Sequence, residues 1–278
     1  MAIRRVTRRL PAVLVNGLLL AGATITLFPL VWMVSVSLMS PGEASTFPPP
    51  LLPGRPSFAN YRELFAHVGM GRYLVNSVML TTAVTLASLL FNVAAGYAFA
   101  KLQFAGRDRI FRLLLAALVI PSQVAMVPLF LLLKQLGLVN SYGGVIVPAM
   151  ASIFGIFVVR QYALSVPDDM LEAARIDGAS ELGIFRSGIV PVLRPIIVTL
   201  AVFTSLGAWN DFMWPLIVLG DNELYTLPVA LASLSREHVQ DNEMMMAGSV
   251  LTILPVLLVF LVLQRYYIQG LMLGSVKE

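Results

Sequence analysis

Apolar residues run almost unbroken through six stretches of the chain, near residues 11–38, 73–99, 110–133, 143–163, 191–219 and 246–268. A helix lying on a soluble core keeps a polar stripe, whereas one that is apolar all round is buried in protein or in lipid. Each stretch holds the roughly 20 residues that a helix needs to cross a hydrocarbon core of about 30 Å. The pattern predicts an all-α, polytopic membrane protein with six transmembrane helices, residues 1–278 forming a single transmembrane domain. The first stretch follows MAIRRVTRR, a basic opening that secretory signals share. Its apolar run from Leu10 to Met39 is about twice the length of a signal core, and no convincing small-residue cleavage site follows closely, so it reads as an uncleaved helix.

The polar segments between the spans set the orientation. Of 19 basic residues, 14 lie at the termini, near 101–112, at Arg160 and Arg265, and along 175–194; Arg55, Arg62, Arg72, Lys134 and Arg236 lie on the other side. By the positive-inside rule both termini and the 164–190 loop face the cytoplasm. The first outer segment, SPGEASTFPPPLLPGRPSFANYRELFAHVG, is dense in proline and glycine and predicts a loop with one short helix near Tyr61–Ala66. No repeat or inverted symmetry is visible.

Composition narrows the function. Only 12% of the 278 residues are charged and 58% are hydrophobic, against about 25% charged in a soluble domain. The formal charge of +4 is scattered over loop ends, which argues for membrane orientation and lipid as a partner, with no nucleic acid. There is no cysteine, and the two histidines, His67 and His238, have no ligands at useful spacing, so no metal site is expected. No phosphate loop exists among three lysines, so this chain has no such machinery for ATP hydrolysis. Gly178-Ala-Ser180-Glu-Leu182 lacks the last glycine of a nucleophile elbow. No catalytic residue is expected.

The most polar inner segment is EAARIDGASELGIFRSGIVPVLRP, residues 172–195. Ser165 with Asp168 predicts a capping-box start, acids at 168, 169 and 172 suit a first turn, and Gly178 supplies a stop, giving a helix over about 167–177. Ser180 caps a second piece running to Pro191, which kinks into the fifth span. Small residues Ala173, Ala174 and Ala179 flank the bend, while Met170, Leu171, Ile176 and Phe185 offer apolar anchors. Composition alone also fits an amphipathic connector resting on lipid headgroups.

Spacing goes further. Glu172-Ala173-Ala174, three residues, Gly178, then nine residues leading to Gly188-Ile189-Val190-Pro191 resembles the E-A-A…G…I-x-L-P loop of the membrane subunits of bacterial ATP-binding-cassette importers. Gly188 and Val190 depart from that pattern; Asp177 and Ala179 match the DGA of its sugar-importing branch. FANYRELF, NSYGGVIVPA, WNDFMWPLIVL and YYIQGLMLGSVK also look like carbohydrate importers, nearest to the maltose-type second permease subunit. The resemblance implies the type I importer permease fold in the bacterial inner membrane. It implies docking of an ATPase on Glu172, Ala173, Ala174, Asp177, Gly178, Ala179 and Pro191. The implied partners are a second permease, two cytoplasmic ATP-binding subunits that hold ATP and Mg, and an external solute-binding protein; no cofactor is expected on this chain. The tail, 269–278, would insert between the ATPases. A polyol or glycerol phosphate importer of the same architecture, and a stand-alone ion-coupled transporter or channel, stay open as alternatives.

Within the spans, Trp209, Asn210 and Asp211 are candidates for a substrate path or outer gate, because intramembrane ionisable groups are functional by default. An interfacial tryptophan belt with a hydrated acid competes with that reading. Asn76, Asn92 and Gln123 are expected mainly to bond neighbouring helices, and Met244–Met246 to pack or face lipid.

Overall fold

The computed structural model describes residues 3–237 and 241–273, with side chains placed for 14–235 and 241–262. The regular elements among them are helical. Leu14–Ser37, Met70–Lys101, Tyr142–Leu164 and Asn242–Val262 are each long and apolar enough to cross a membrane. Arg107–Ala117 with Ser122–Gln135, and Glu181–Val192 with Arg194–Asn210, are bent pairs that bring the number of crossings to six if each pair is one span.

The chain divides into two compact units, Met1–Met70 with Leu231–Leu254 and Gly71–Ala230 with Pro255–Glu278. In the first, α1 (Ile3–Ser37) has the exposed apolar flank of a lipid-facing helix, with Leu18 and Ile25 74% and 73% exposed. Its end is tied to the outer segment: the Asn60 amide donates to the carbonyls of Ser37 and Met39 at 3.0 and 2.9 Å, satisfying helix-end acceptors. Asn60 belongs to α2 (Ala59–Glu63), which continues as one wide turn to Val68, where the short outer helix was expected.

The second unit contains α3 (Met70–Lys101), α4 (Arg107–Ala117), α5 (Ser122–Gln135), α6 (Tyr142–Ala149), α7 (Ile153–Leu164), α8 (Asp168–Ile176), α9 (Glu181–Val192), α10 (Arg194–Asn210) and α11 (Met213–Val218). Then follow α12 (Leu227–Glu237) and α13 (Asn242–Leu273). Gly96 brings α3 against α7: a Cβ there would stand 2.5 Å from Val159 Cγ1 and 3.0 Å from the Arg160 nitrogen. One core gathers Val93 and Tyr97 of α3, Val159 and Ala163 of α7, Leu171 of α8 and Ile184 and Ile189 of α9. A second joins Leu80, Leu133, Val145, Trp214 and Val218.

Three expectations are corrected. The third span is not one straight helix; α4 and α5 meet at 108°, because Pro121 has no amide proton and disfavours helical backbone at the residue before it. The fifth span is shorter than 191–219. Residues up to Val192 belong to α9, which meets α10 at 77°, and α10 ends at Asn210 with Asp211 extended (φ −68°, ψ 119°). A continuous helix would drive the Pro215 ring into the Asp211 carbonyl; the chain restarts at Met213, so that Pro215 falls in a first turn. Finally, Ser165 caps nothing: its hydroxyl donates to the Tyr162 carbonyl at 2.7 Å, and Pro167 holds the N-cap position of α8. His238 and tail residues 274–278 lie outside the described residues.

Candidate functional site

The loop between the fourth and fifth spans is two helices bent at a glycine. α8 stops where Gly178 adopts φ +83°, a left-handed conformation that glycine reaches without a Cβ penalty. The Gly178 and Ala179 amides close the helix end onto the Arg175 and Ala174 carbonyls, both at 3.0 Å. Ser180 then caps α9, its hydroxyl accepting from the Gly183 amide at 3.2 Å. The space around Gly178 is open, with no atom within 4 Å of an added Cβ.

Burial divides the loop into a held face and a presented face. Leu171, Ile184 and Ile189 are buried at 2%, 4% and 0% exposure, and Phe185 packs half-buried on Tyr97 with ring centroids 5.2 Å apart. Glu172, Ala173, Asp177, Gly178 and Ala179 are exposed, Ala174 is half-buried, and Pro191 is exposed beside the bend into α10. Ile176, at 86% exposure, stands on the presented side with Met170 and Leu182. The four apolar anchors therefore split: Leu171 and Phe185 hold the loop to its own chain, while Ile176 and Met170 point away from it.

Ionic contacts reinforce the held face. Lys101 Nζ, at the end of α3, donates to Asp168 Oδ1 and to the Val166 carbonyl, each at 2.6 Å. Arg175 Nε donates to Glu181 Oε1 at 2.7 Å, and the Tyr97 hydroxyl donates to Glu181 Oε2 at 3.1 Å. The Lys101 hydrogen bond and charge hold the Asp168 carboxyl below the ordinary aspartate range. The Arg175 hydrogen bond does the same for Glu181. Sequence reading missed Tyr97 and Lys101; the available signal was a rare lysine closing an otherwise apolar span.

A cavity of about 580 Å³ opens among α3, α5, α6, α7, α10 and α11. Its polar lining includes Ser77, Ser88, Gln123, Ser152, Asp211 and Thr226, and Phe203 and Trp214 are among its aromatic residues. The Thr226 hydroxyl is buried without a hydrogen-bond partner. Ser77 and Ser88 have accepted bonds, from the Leu227 amide and from Asn92, which leaves their protons available. Their spacing with Val84, i, i+7, i+11 on one helix face, was the overlooked signal.

Of the three candidates in the fifth span, Asp211 lines this cavity, one oxygen accepting from the Trp214 amide at 3.4 Å. Asn210 does not; its amide donates to the Leu206 carbonyl of its own helix at 2.8 Å. Trp209 lines a separate, mainly apolar groove of about 330 Å³ with Thr81, Thr85 and Pro255. Asn76 bonds the Glu223 and Tyr225 carbonyls, and Asn92 accepts from the Ser152 amide. Gln123, in contrast, faces the cavity. His67 pairs with Glu63 one helical turn away at 3.0 Å. Among the described residues no three His, Cys, Asp or Glu side chains gather as a metal site requires.

Helices apolar on most faces, with a hydroxyl-lined cavity among them and a bent polar loop held at one end, define a polytopic transport protein. The chain belongs to the family of binding-protein-dependent transport system inner membrane components, whose sequence profile matches residues 92–272. It is similar to the arabinooligosaccharides transport system permease protein AraQ of Halalkalibacterium halodurans, 39% identical over 262 residues that cover 92% of each chain. It is also similar to the lactose transport system permease protein LacG of Rhizobium radiobacter, 35% identical over 97% of this chain and 98% of that one. A solved bacterial ABC transporter involved in the import of the acidic polysaccharide alginate has a chain of the same fold (TM-score 0.82, 25% identity, 93% of this chain and 97% of that one). The protein is thus an inner-membrane, multi-pass permease subunit with the ABC importer permease fold.

Proposed function

We propose that this subunit forms half of the translocation path of an ATP-driven sugar importer and receives force from a separate ATPase through the 164–190 loop. The carrying observation is the loop's division of labour: Leu171, Ile184 and Ile189 are buried while the bend at Gly178 and the surfaces of Glu172 and Ile176 are open. In this reading 1–278 works as one transmembrane domain, without catalysis or cofactor of its own. It pairs with a second permease, two cytoplasmic ATP-binding subunits that carry ATP and Mg, and an external solute-binding protein. The basic-residue distribution supports cytoplasmic termini, and the tail 269–278 is proposed to reach the ATPases.

The cavity supports a neutral, hydroxyl-rich solute. Its lining offers hydroxyls, one amide and one carboxylate beside aromatic residues, and it contains no Lys, Arg or His. A phosphate-bearing solute would leave its charge uncompensated against Asp211, which disfavours glycerol phosphate. The relatives named for arabinooligosaccharides and lactose point the same way.

The test is Gly178→Leu in the complete complex in proteoliposomes. The left-handed backbone is strained by about 1–3 kcal/mol for a non-glycine residue, and the added side chain occupies the open space a docked ATPase would need. Sugar uptake and ATPase retention should both be lost. A Gly178→Leu complex that assembles and transports like the parent overturns the loop as coupling site.

A further inference from the structure

α3 ends in a face that touches both halves of the loop. Tyr97 and Lys101 lie one turn apart on that face. Lys101 Nζ reaches the Val166 carbonyl just ahead of α8 and Asp168 at its first residue, both at 2.6 Å. Tyr97 reaches Glu181 at the first residue of α9, at 3.1 Å. Glu181 uses its other oxygen for Arg175, in the last turn of α8, at 2.7 Å. The contacts close a ring: Lys101, Asp168, along α8 to Arg175, across to Glu181, back to Tyr97, and one turn along α3 to Lys101. The Lys101 side chain is only 4% exposed while Asp168 is 73% exposed. The ammonium is therefore fixed within α3's packing and holds the loop by its accessible carboxylate.

We infer that Tyr97 and Lys101 are positioning residues that lock the start of α8 and the start of α9 to α3, so that displacement of the bend at Gly178 moves α3 as well. The inference rests on the 164–190 loop being the coupling element. α3 carries Ser77 and Ser88 on the cavity wall, so one continuous helix links the ring to the cavity. None of the ring's members belongs to the exposed docking set, and Leu171, Ile184 and Ile189 still bury the loop's apolar side without it. Removing a ring contact should loosen the register of the loop on α3 while leaving the presented face intact.

The experiment compares Lys101→Met, Lys101→Arg and Tyr97→Phe in the full transporter in proteoliposomes. It measures ATPase retention, ATP hydrolysis, and solute imported per ATP, using the sugar that stabilises the cognate binding protein. Lys101→Met should retain the ATPase and its hydrolysis while solute per ATP falls by about tenfold, the scale of a lost charge-assisted hydrogen bond. Lys101→Arg should restore most of the ratio, and Tyr97→Phe should lower it by a smaller factor. If Lys101→Met does not insert, Asp168→Ala and Glu181→Ala remove the ring's acceptors from exposed positions and should show the same uncoupling. An unchanged ratio in Lys101→Met, or in both exposed variants, overturns the inference. So does joint loss of ATPase retention, which would reduce the ring to a staple of the loop's own fold. A Gly178→Leu complex that works normally overturns the coupling reading itself, whereas a failing Gly178→Leu beside a fully coupled Lys101→Met overturns only the ring.

Discussion

α8 and α9 are joined by a single bend, yet they are held to the protein by different physics. α9 carries Ile184 and Ile189 at 4% and 0% exposure, and packs Phe185 against Tyr97. α8 buries Leu171 and leaves Met170 and Ile176 outward, and its ends are secured by Lys101–Asp168 and Arg175–Glu181. Under the proposed docking role, a helix that offers its surface to a partner has little apolar area left for its own chain. Hydrogen bonds and charges at its two ends add to the hold that buried Leu171 gives. The contrast separates an element that anchors from an element that presents.

Two substitutions, one buried and one exposed, test that contrast most severely. Ile189→Ala deletes a fully buried side chain and should destabilise the permease by about 2–5 kcal/mol, read as a lower midpoint in detergent unfolding. Ile176→Ala, on the presented side, should leave that midpoint unchanged and weaken ATPase retention by about tenfold or more, the scale of an isoleucine buried only on docking. Equal stability losses at the two sites would erase the distinction.

A smaller effect is expected from Glu172→Ala. It removes one exposed charge from the presented face, and exposed ion pairs contribute little. The complex should assemble with less than about fivefold weaker retention, and coupling rather than assembly should show the defect. Complete loss of assembly would show that α8 docks by charge and not by its apolar and small residues.

The smallest effect concerns pH. Asp168 faces Lys101 and Arg175, and Glu181 faces Arg175 and Tyr97; both carboxyls titrate below their ordinary values of 3.8 and 4.5. A carboxyl lowered by folding stabilises the folded form above its unfolded value, and that contribution disappears as pH falls through the folded value. Amide-exchange protection of residues 168–176 should therefore stay constant between pH 7 and roughly 5.5 and decline only below the ordinary carboxylate range. A decline already complete at pH 5.5 would mean that these pairs do not hold α8.

Local chemistry was legible in the sequence because its cause is local. Uninterrupted apolar length marks a crossing, only glycine makes the left-handed stop at 178 readily, and Ser180 caps the helix it precedes. The tertiary structure alone decided which side of each apolar segment faces protein. In lipid, a span has no need of a polar stripe, so its sequence does not distinguish the core side from the lipid side. A different limit, that residue type does not say which side of a helix its own chain covers, hid the division between Leu171, buried, and Ile176, exposed, five residues apart. It also hid the choice between Asp211, on the cavity, and its neighbour Asn210, bonded to its own helix. Lys101 meets an acid 67 positions away, a pairing that no local pattern encodes and that depends on how α3 packs against α7, where Gly96 gives the close approach.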